Sequence, residues 1–296
     1  MSRTDWILLA TLSLLWGGSF LFVELALAGL PPLTVVCGRV ALAAAILGLA
    51  SRARGLGVPQ GAWPALLVMG VLNNAVPFTL LALAQGRIGG GLAAIVNATT
   101  PLWTVLVAHL FTADERITRS KVAGLAFGLA GVALMTGAAQ GGEALAILAC
   151  LGAAASYGLA GVWGRRFGAM GVAPLATAFG MLAGSTLVLA PVWLLVDRPW
   201  GMAVPPAGPV LAVGALATLS TALAYLIYFR LLARAGATNL SLVTFLIPVS
   251  AVGLGVVLLG ETVLPRHLGG LALIAAGLAA MDGRLAQWFG GMQGAR

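Results

Sequence analysis

The chain has 296 residues, of which 60% are hydrophobic and 8% are charged, and its mean hydropathy is +1.04. A soluble domain cannot bury so much apolar side chain, so the composition excludes a soluble globular protein and predicts an all-α polytopic membrane protein. Lys and Arg outnumber Asp and Glu by 16 to 8, but the arginines stand singly between apolar stretches, which argues against a nucleic-acid partner.

Ten apolar stretches approach the length of about 20 residues that a transmembrane helix needs. The first is interpreted as a membrane span rather than a signal peptide, because its apolar run, 6–23, is longer than a signal core of about 7–15 residues. Short turns rich in Pro, Gly and charged residues separate the stretches, so we expect no inserted soluble domain. The predicted spans are about 5–28, 33–51, 62–84, 88–111, 120–138, 143–163, 173–196, 208–230, 236–259 and 267–286.

The positive charges are distributed unequally between the two sides of these spans. Twelve of the 16 Lys and Arg residues fall at the termini or in every second loop, three fall in the alternate loops, and Arg39 lies within a span. Because Lys and Arg accumulate on the cytoplasmic side, both termini are predicted to be cytoplasmic.

The stretch around Pro101 recurs once. Pro101 precedes Glu115 by 14 residues, Pro248 precedes Glu261 by 13, and the glycines and methionines that follow keep an offset of 146 residues. A match of about 50 residues at nearly fixed spacing is typical of an internal repeat. Five spans separate the copies, so they run in opposite directions, which predicts two inverted five-helix repeats around a central cavity, as in alternating-access transporters. The predicted domains are 1–138 and 139–296.

Several motifs, taken together over the whole chain, resemble those of the EamA-type carriers of the drug/metabolite transporter superfamily. The resemblance implies ten helices in two EamA-type repeats and export of small metabolites, including amino acids, across the bacterial inner membrane. Span six departs from span one, with Tyr157-Gly158-Leu159-Ala160 in place of Trp16-Gly17-Gly18-Ser19, so we expect the two halves to line the path unequally. The features that carry the resemblance are Trp16-Gly17-Gly18-Ser19-Phe20, Arg39, the block Pro101, Glu115 and Gly124, and its second copy Pro248, Glu261 and Gly270.

Polar and aromatic residues mark one face of spans one, three, four, six, eight and nine, which predicts a central path among these helices. Aromatic surfaces with hydroxyl and amide groups suit an amphipathic solute, such as an apolar or aromatic amino acid or another drug-like molecule. The alternative is that Ser, Thr and Asn merely join helices by hydrogen bonds. The predicted substrate-binding residues are Trp16, Asn73, Asn74, Phe78, Asn97, Thr100, Trp103, Tyr157, Thr221, Tyr225, Tyr228 and Thr244.

Pro101 and Pro248 are predicted hinges. Each proline removes a hydrogen bond to the carbonyl four residues earlier, in Asn97 and Thr244, and those carbonyls would be free to accept from a substrate ammonium group. The alternative is a static kink that only shapes the packing.

Two charged residues inside spans, Glu24 and Arg39, are predicted to form an ion pair, because an unpaired charge in a membrane is costly. The alternative is that Glu24 binds and releases a proton during transport. Glu115 and Glu261 are interpreted as residues that end helices.

The sequence therefore predicts a secondary transporter that exports small organic metabolites, with aromatic or hydrophobic amino acids favoured. A multidrug or other metabolite carrier of the same family, and a channel-like facilitator, are the alternatives. No nucleophile–base pair or metal-ligand set stands within the spans, so an enzyme is not predicted. We expect a small-molecule substrate and the lipid bilayer as partners, no cofactor, no metal and a monomeric state.

Overall fold

A computed structural model of the chain describes residues 1–112, 117–136 and 141–282, and Glu115 lies outside these ranges. The described residues form helices and turns and contain no β-strand. We label ten helical segments in chain order: α1 Arg3–Leu27, α2 Pro32–Ala53, α3 Gln60–Gln85, α4 Gly90–Phe111, α5 Arg119–Thr136, α6 Gly142–Ala169, α7 Pro174–Val196, α8 Ala207–Gly236, α9 Val243–Leu259 and α10 Pro265–Asp282.

Seven of the described segments, α1 to α4 and α6 to α8, are long and apolar enough to cross a membrane, and α9 is a shorter apolar helix. The chain is therefore a multi-pass helical membrane protein, as the composition predicts. Helices α5 and α10 are 18 residues each and carry charged residues near their ends, which lowers their hydropathy. The count of ten spanning helices remains a prediction.

Local chemistry sets where several helices begin. At the start of α1, the Ser2 hydroxyl accepts from the Asp5 backbone N–H at 3.2 Å, and the Asp5 carboxylate accepts from the Ser2 N–H at 2.8 Å, which is a capping box. Helices α2 and α7 begin at Pro32 and Pro174, where the missing N–H costs no helical hydrogen bond.

Several helices are interrupted in their interiors, and the interruptions in α3, α4 and α8 lie at the cavity described below. Helix α4 breaks at 98–99 into two half-helices, Gly90–Asn97 and Thr100–Phe111, and Pro101 lies in the first turn of the second half. Helices α3 and α8 contain π-helical stretches, Val71–Ala75 and Thr218–Leu223. Such interruptions are frequent at functional sites, because they leave polar groups free of the regular helical ladder.

Glycines bring α5 and α10 into close contact. A Cβ atom added at Gly124 would lie 2.6 Å from the Gly277 carbonyl oxygen, and one at Gly131 would lie 2.7 Å from the Gly270 carbonyl oxygen. Only glycine permits backbones to approach so closely, as small residues do at helix interfaces in membranes. The contacts pair an earlier residue of one helix with a later residue of the other, so the two helices are antiparallel.

Candidate substrate cavity

A cavity of about 710 Å³ lies among the interrupted helices. This volume is within the usual range of small-molecule sites. Ten of the twelve predicted substrate-binding residues line it, together with one predicted hinge. They are Trp16, Asn73, Phe78, Asn97, Thr100, Tyr157, Thr221, Tyr225, Tyr228 and Thr244, with Pro248.

Asn74 and Trp103 do not line the cavity, so their predicted place on its wall is wrong. Asn74 is fully buried, and its side-chain N–H donates to the Ser185 hydroxyl of α7 at 3.1 Å. The neighbouring Asn73 does face the cavity, whereas the Asn74 side chain turns toward α7. The backbone of Trp103 packs against Gly158, where α4 meets α6.

Aromatic side chains form one wall of the cavity. The Trp16 and Tyr228 rings lie 5.6 Å apart, and Tyr228 and Phe229 meet edge to face at 5.2 Å. The Tyr225 hydroxyl accepts a hydrogen bond from the Asn73 side chain at 2.9 Å, which fixes both groups at the cavity surface. This wall is apolar with polar points, which suits a ligand that is itself amphipathic.

Arg39 lines the same cavity and is 8% exposed. Its Nε–H donates to the Thr221 hydroxyl at 3.0 Å, and its guanidinium carbon lies 3.6 Å from the centre of the Phe78 ring, a cation–π contact. Across the described ranges, no carboxylate forms an ion pair with it.

The predicted ion pair between Glu24 and Arg39 is therefore wrong. The Glu24 carboxylate instead accepts from the Gly90 backbone N–H at 3.0 Å, at the start of α4. Glu24 turns toward α4 and Arg39 turns toward α8, so their nearness in the sequence does not bring their side chains together.

The free acceptor near Pro101 is the side-chain oxygen of Asn97, not its backbone carbonyl as predicted. The carbonyl of Asn97 already accepts from the Thr100 hydroxyl at 2.7 Å. The side-chain oxygen of Asn97 is buried without a hydrogen-bond partner among the described residues, as are Ser220 Oγ and Gln85 Oε1. All three residues line the cavity, so its wall holds polar groups whose hydrogen bonds are incomplete.

Sequence reasoning missed the part that α2 and α7 play. The apolar spans two and seven were not expected to line the path, yet Arg39, Thr177 and Met181 do. The signal was present for Arg39, because an ionisable residue inside a span is by itself evidence of a functional site. Thr177 and Met181 gave no comparable signal.

The two ends of the cavity differ. At one end it reaches the last turn of α6 and the first turn of α7, where Gly168 and Pro174 are exposed. At the other end it stops at Gln85 and Ala94, beneath the start of α4. The cavity thus has one end at exposed residues, its open end, and one end at buried residues, its closed end.

Comparison with known proteins agrees with this architecture. The model of the EamA-like transporter family matches the chain twice, over residues 5–137 and 144–281. The chain is 31% identical over 260 residues to the uncharacterized inner membrane transporter YedA of Escherichia coli (strain K12), covering 86% of this chain and 82% of that protein. It is 27% identical over 292 residues to a probable amino-acid metabolite efflux pump of Salmonella typhimurium (strain LT2), covering 94% of each.

One solved crystal structure shares the fold. It is 24% identical in sequence and superposes with a TM-score of 0.67 over 94% of this chain and 98% of that one. The two family matches together span nearly the whole chain. On this evidence the chain belongs to the EamA-like transporter family.

Proposed function

We propose that this transporter exports amino acids with aromatic or hydrophobic side chains across the bacterial inner membrane by alternating access. The observation that carries the proposal is the combination, in one cavity, of an aromatic wall and the Arg39 guanidinium, which forms no ion pair with the described residues. An amino acid presents a carboxylate and an apolar side chain at the distance of a few bonds, so it matches both features.

Arg39 is the group that would bind the substrate carboxylate. Its Nε–H is held by Thr221, which leaves the terminal nitrogens to form a bidentate contact with an anion. The ammonium group would be met by hydroxyl and amide oxygens, with Asn97 Oδ1 rotating to accept from it. A cationic drug, the substrate of a multidrug carrier, would be repelled by the same guanidinium.

Alternating access is supported by signs of inverted repeats, 1–138 and 139–296. The π-helical stretches of α3 and α8 begin at Val71 and Thr218, close to the offset that relates the predicted repeats. The contacts between α5 and α10 are also reciprocal, since Gly124 meets Gly277 and Gly131 meets Gly270. Replacing each glycine of one contact by its equivalent in the other repeat gives the second contact. Such reciprocity is expected of two units related by an approximate two-fold axis.

The open end of the cavity would face the cytoplasm. The last turns of α6, which lead into the connection with α7, carry Arg165 and Arg166 and belong to the arginine-rich side of the protein. A cavity open to the cytoplasm and closed to the outside is the loading state of an exporter. A closed end also favours a carrier over a channel-like facilitator.

The proposal is tested by counterflow in proteoliposomes loaded with unlabelled phenylalanine. We expect labelled phenylalanine to enter faster than into empty liposomes, and leucine to compete. Phenethylamine, which lacks only the carboxylate, should not compete. Equal competition by phenethylamine would contradict carboxylate recognition, and the absence of trans-acceleration with any tested amino acid would contradict the carrier.

A further inference from the structure

Two carboxylates meet at the closed end of the cavity. Glu24 Oε2, from α1, accepts from the Gly90 N–H at 3.0 Å, and Glu261 Oε2, which follows α9, accepts from the Gly91 N–H at 3.0 Å. These N–H groups belong to the first turn of α4, whose end carries the positive pole of the helix dipole. One residue from each predicted repeat thus holds the same helix end.

The two carboxylates fit there because the chain carries glycines. A Cβ atom at Gly91 would lie 2.6 Å from Glu261 Oε2, and one at Gly90 would lie 3.2 Å from Glu24 Oε2. The carboxylates therefore occupy the space that side chains at 90 and 91 would take.

A third acceptor points into the same place. A Cβ atom at Gly90 would lie 3.3 Å from Gln85 Oε1, and the same atom would lie next to Glu24 Oε2. Gln85 is 7% exposed, and its Oε1 has no hydrogen-bond partner among the described residues. Two carboxylates and the Gln85 amide therefore crowd around two backbone donors.

Glu24 and Glu261 differ in the charged groups that surround them. Glu261 borders a second cavity of about 450 Å³, whereas Glu24 does not. Within the described ranges, neither glutamate forms a side-chain ion pair. The second cavity brings cationic side chains to the Glu261 side of the cluster. The ionisable residues that line the second cavity with Glu261 are Arg87, Glu143, Arg266 and His267.

We propose that Glu24 and Glu261 form a proton-binding site, in which Glu24 holds one proton and donates it to Gln85 Oε1 or to Glu261. Two carboxylates in one site do not readily both ionise, and a proton bound to one of them gives the unpartnered Gln85 Oε1 a donor to accept from. The proton is taken from water and returned to water, with no other bond made or broken. When it leaves, two negative charges face each other at the start of α4, which favours opening of this end.

The site itself does not depend on the substrate, although its use in coupling transport to a proton gradient rests on the proposed function. The test therefore uses the full-length protein alone, in phosphatidylcholine nanodiscs. Its melting temperature is measured from pH 5 to pH 9, in sodium chloride and again in choline chloride.

We expect the wild-type melting temperature to fall as the pH rises, by roughly 2–4 °C more than that of Glu24→Gln, in both salts. The carboxamide keeps a donor at this position at every pH. Glu143→Gln is the matched control, a carboxylate of the adjoining cavity that does not contact the start of α4, and it should retain the wild-type fall. If Glu24→Gln does not fold, Glu261→Gln gives the same comparison.

Two results would overturn the proposal. Parallel pH profiles for the wild type and the Gln variants would show that no proton is bound by this pair. A melting temperature that rises with sodium at fixed pH, without a pH-dependent difference between the wild type and Glu24→Gln, would assign the cluster to a metal cation. Neither result would bear on amino-acid counterflow, so failure of this site and failure of the proposed function are distinguishable.

Discussion

Arg39 is the residue that most restricts what the cavity can hold. Its guanidinium is buried against Phe78 and donates to Thr221, and no carboxylate of the described chain neutralises it. A charge held in a low-dielectric environment without a counter-ion is costly. An anionic group on the substrate would offset that cost each time it binds, which makes binding sensitive to the carboxylate.

Replacing Arg39 with Gln should raise the substrate concentration for half-maximal phenylalanine counterflow by tenfold or more. A hydrogen bond to a charged group is worth about 1.5–3 kcal/mol, and about 1.4 kcal/mol is a factor of ten in affinity. Arg198→Gln is the control, because Arg198 is exposed in the connection after α7. An unchanged half-saturation in correctly inserted Arg39→Gln protein would remove Arg39 from the proposed site.

At the scale of the helix, regular spacing predicts a face well, and the two residues that it misplaces both lie in or after an interruption. The polar and aromatic periodicity placed Trp16, Tyr225 and Tyr228 on the cavity wall. It misplaced Asn74, which lies in the π-helical stretch of α3, and Trp103, which follows the break in α4. Each interruption rotates the residues that follow it, and the sequence pattern does not reveal the size of that rotation.

The packing of helices also explains why the predicted ion pair between Glu24 and Arg39 does not form. Glu24 and Arg39 stand on either side of one short turn, which favours a contact when only the sequence is considered. The helix to which each side chain turns is decided by tertiary packing, in which Gly90 offers an N–H to Glu24 and Thr221 offers a hydroxyl to Arg39.

Pro101→Ala should slow the turnover of exchange more than it weakens substrate binding. Pro101 lies in the first turn after the α4 break and lacks an N–H. Alanine would supply an N–H that competes with the Thr100 hydroxyl for the Asn97 carbonyl and joins the half-helices. A hinge stiffened in this way would still bind substrate.

The measurement compares phenylalanine affinity by thermal shift with the exchange rate in liposomes. Pro191→Ala is the matched control, because Pro191 lies inside α7 and outside the cavity. Equal losses of affinity and rate in Pro101→Ala would indicate that the break only shapes the site.

At the scale of the whole molecule, the sequence predicts the repeat, whereas only the structure indicates which end of the cavity is closed. The offset of the repeat is written in the sequence, and the paired π-helical stretches and the reciprocal contacts of α5 and α10 are consistent with it. The sequence does not indicate which end of the cavity is closed, because a carrier with one sequence alternates between a state closed at one end and a state closed at the other. The closed end is defined instead by contacts such as those of Glu24 and Glu261 with α4.

The proposed orientation can be tested with single cysteines and a maleimide that does not cross membranes. Gly168→Cys lies in the last turn of α6, at the open end of the cavity, and should be labelled only from the cytoplasmic face of oriented vesicles. Gly201→Cys lies in the connection between α7 and α8 and should be labelled only from the opposite face. Background should be low, because the native Cys37 and Cys150 are 5% and 0% exposed. Labelling with the two faces exchanged would reverse the proposed direction of the cavity, and with it the argument that the state with a closed end near Glu24 loads substrate from the cytoplasm.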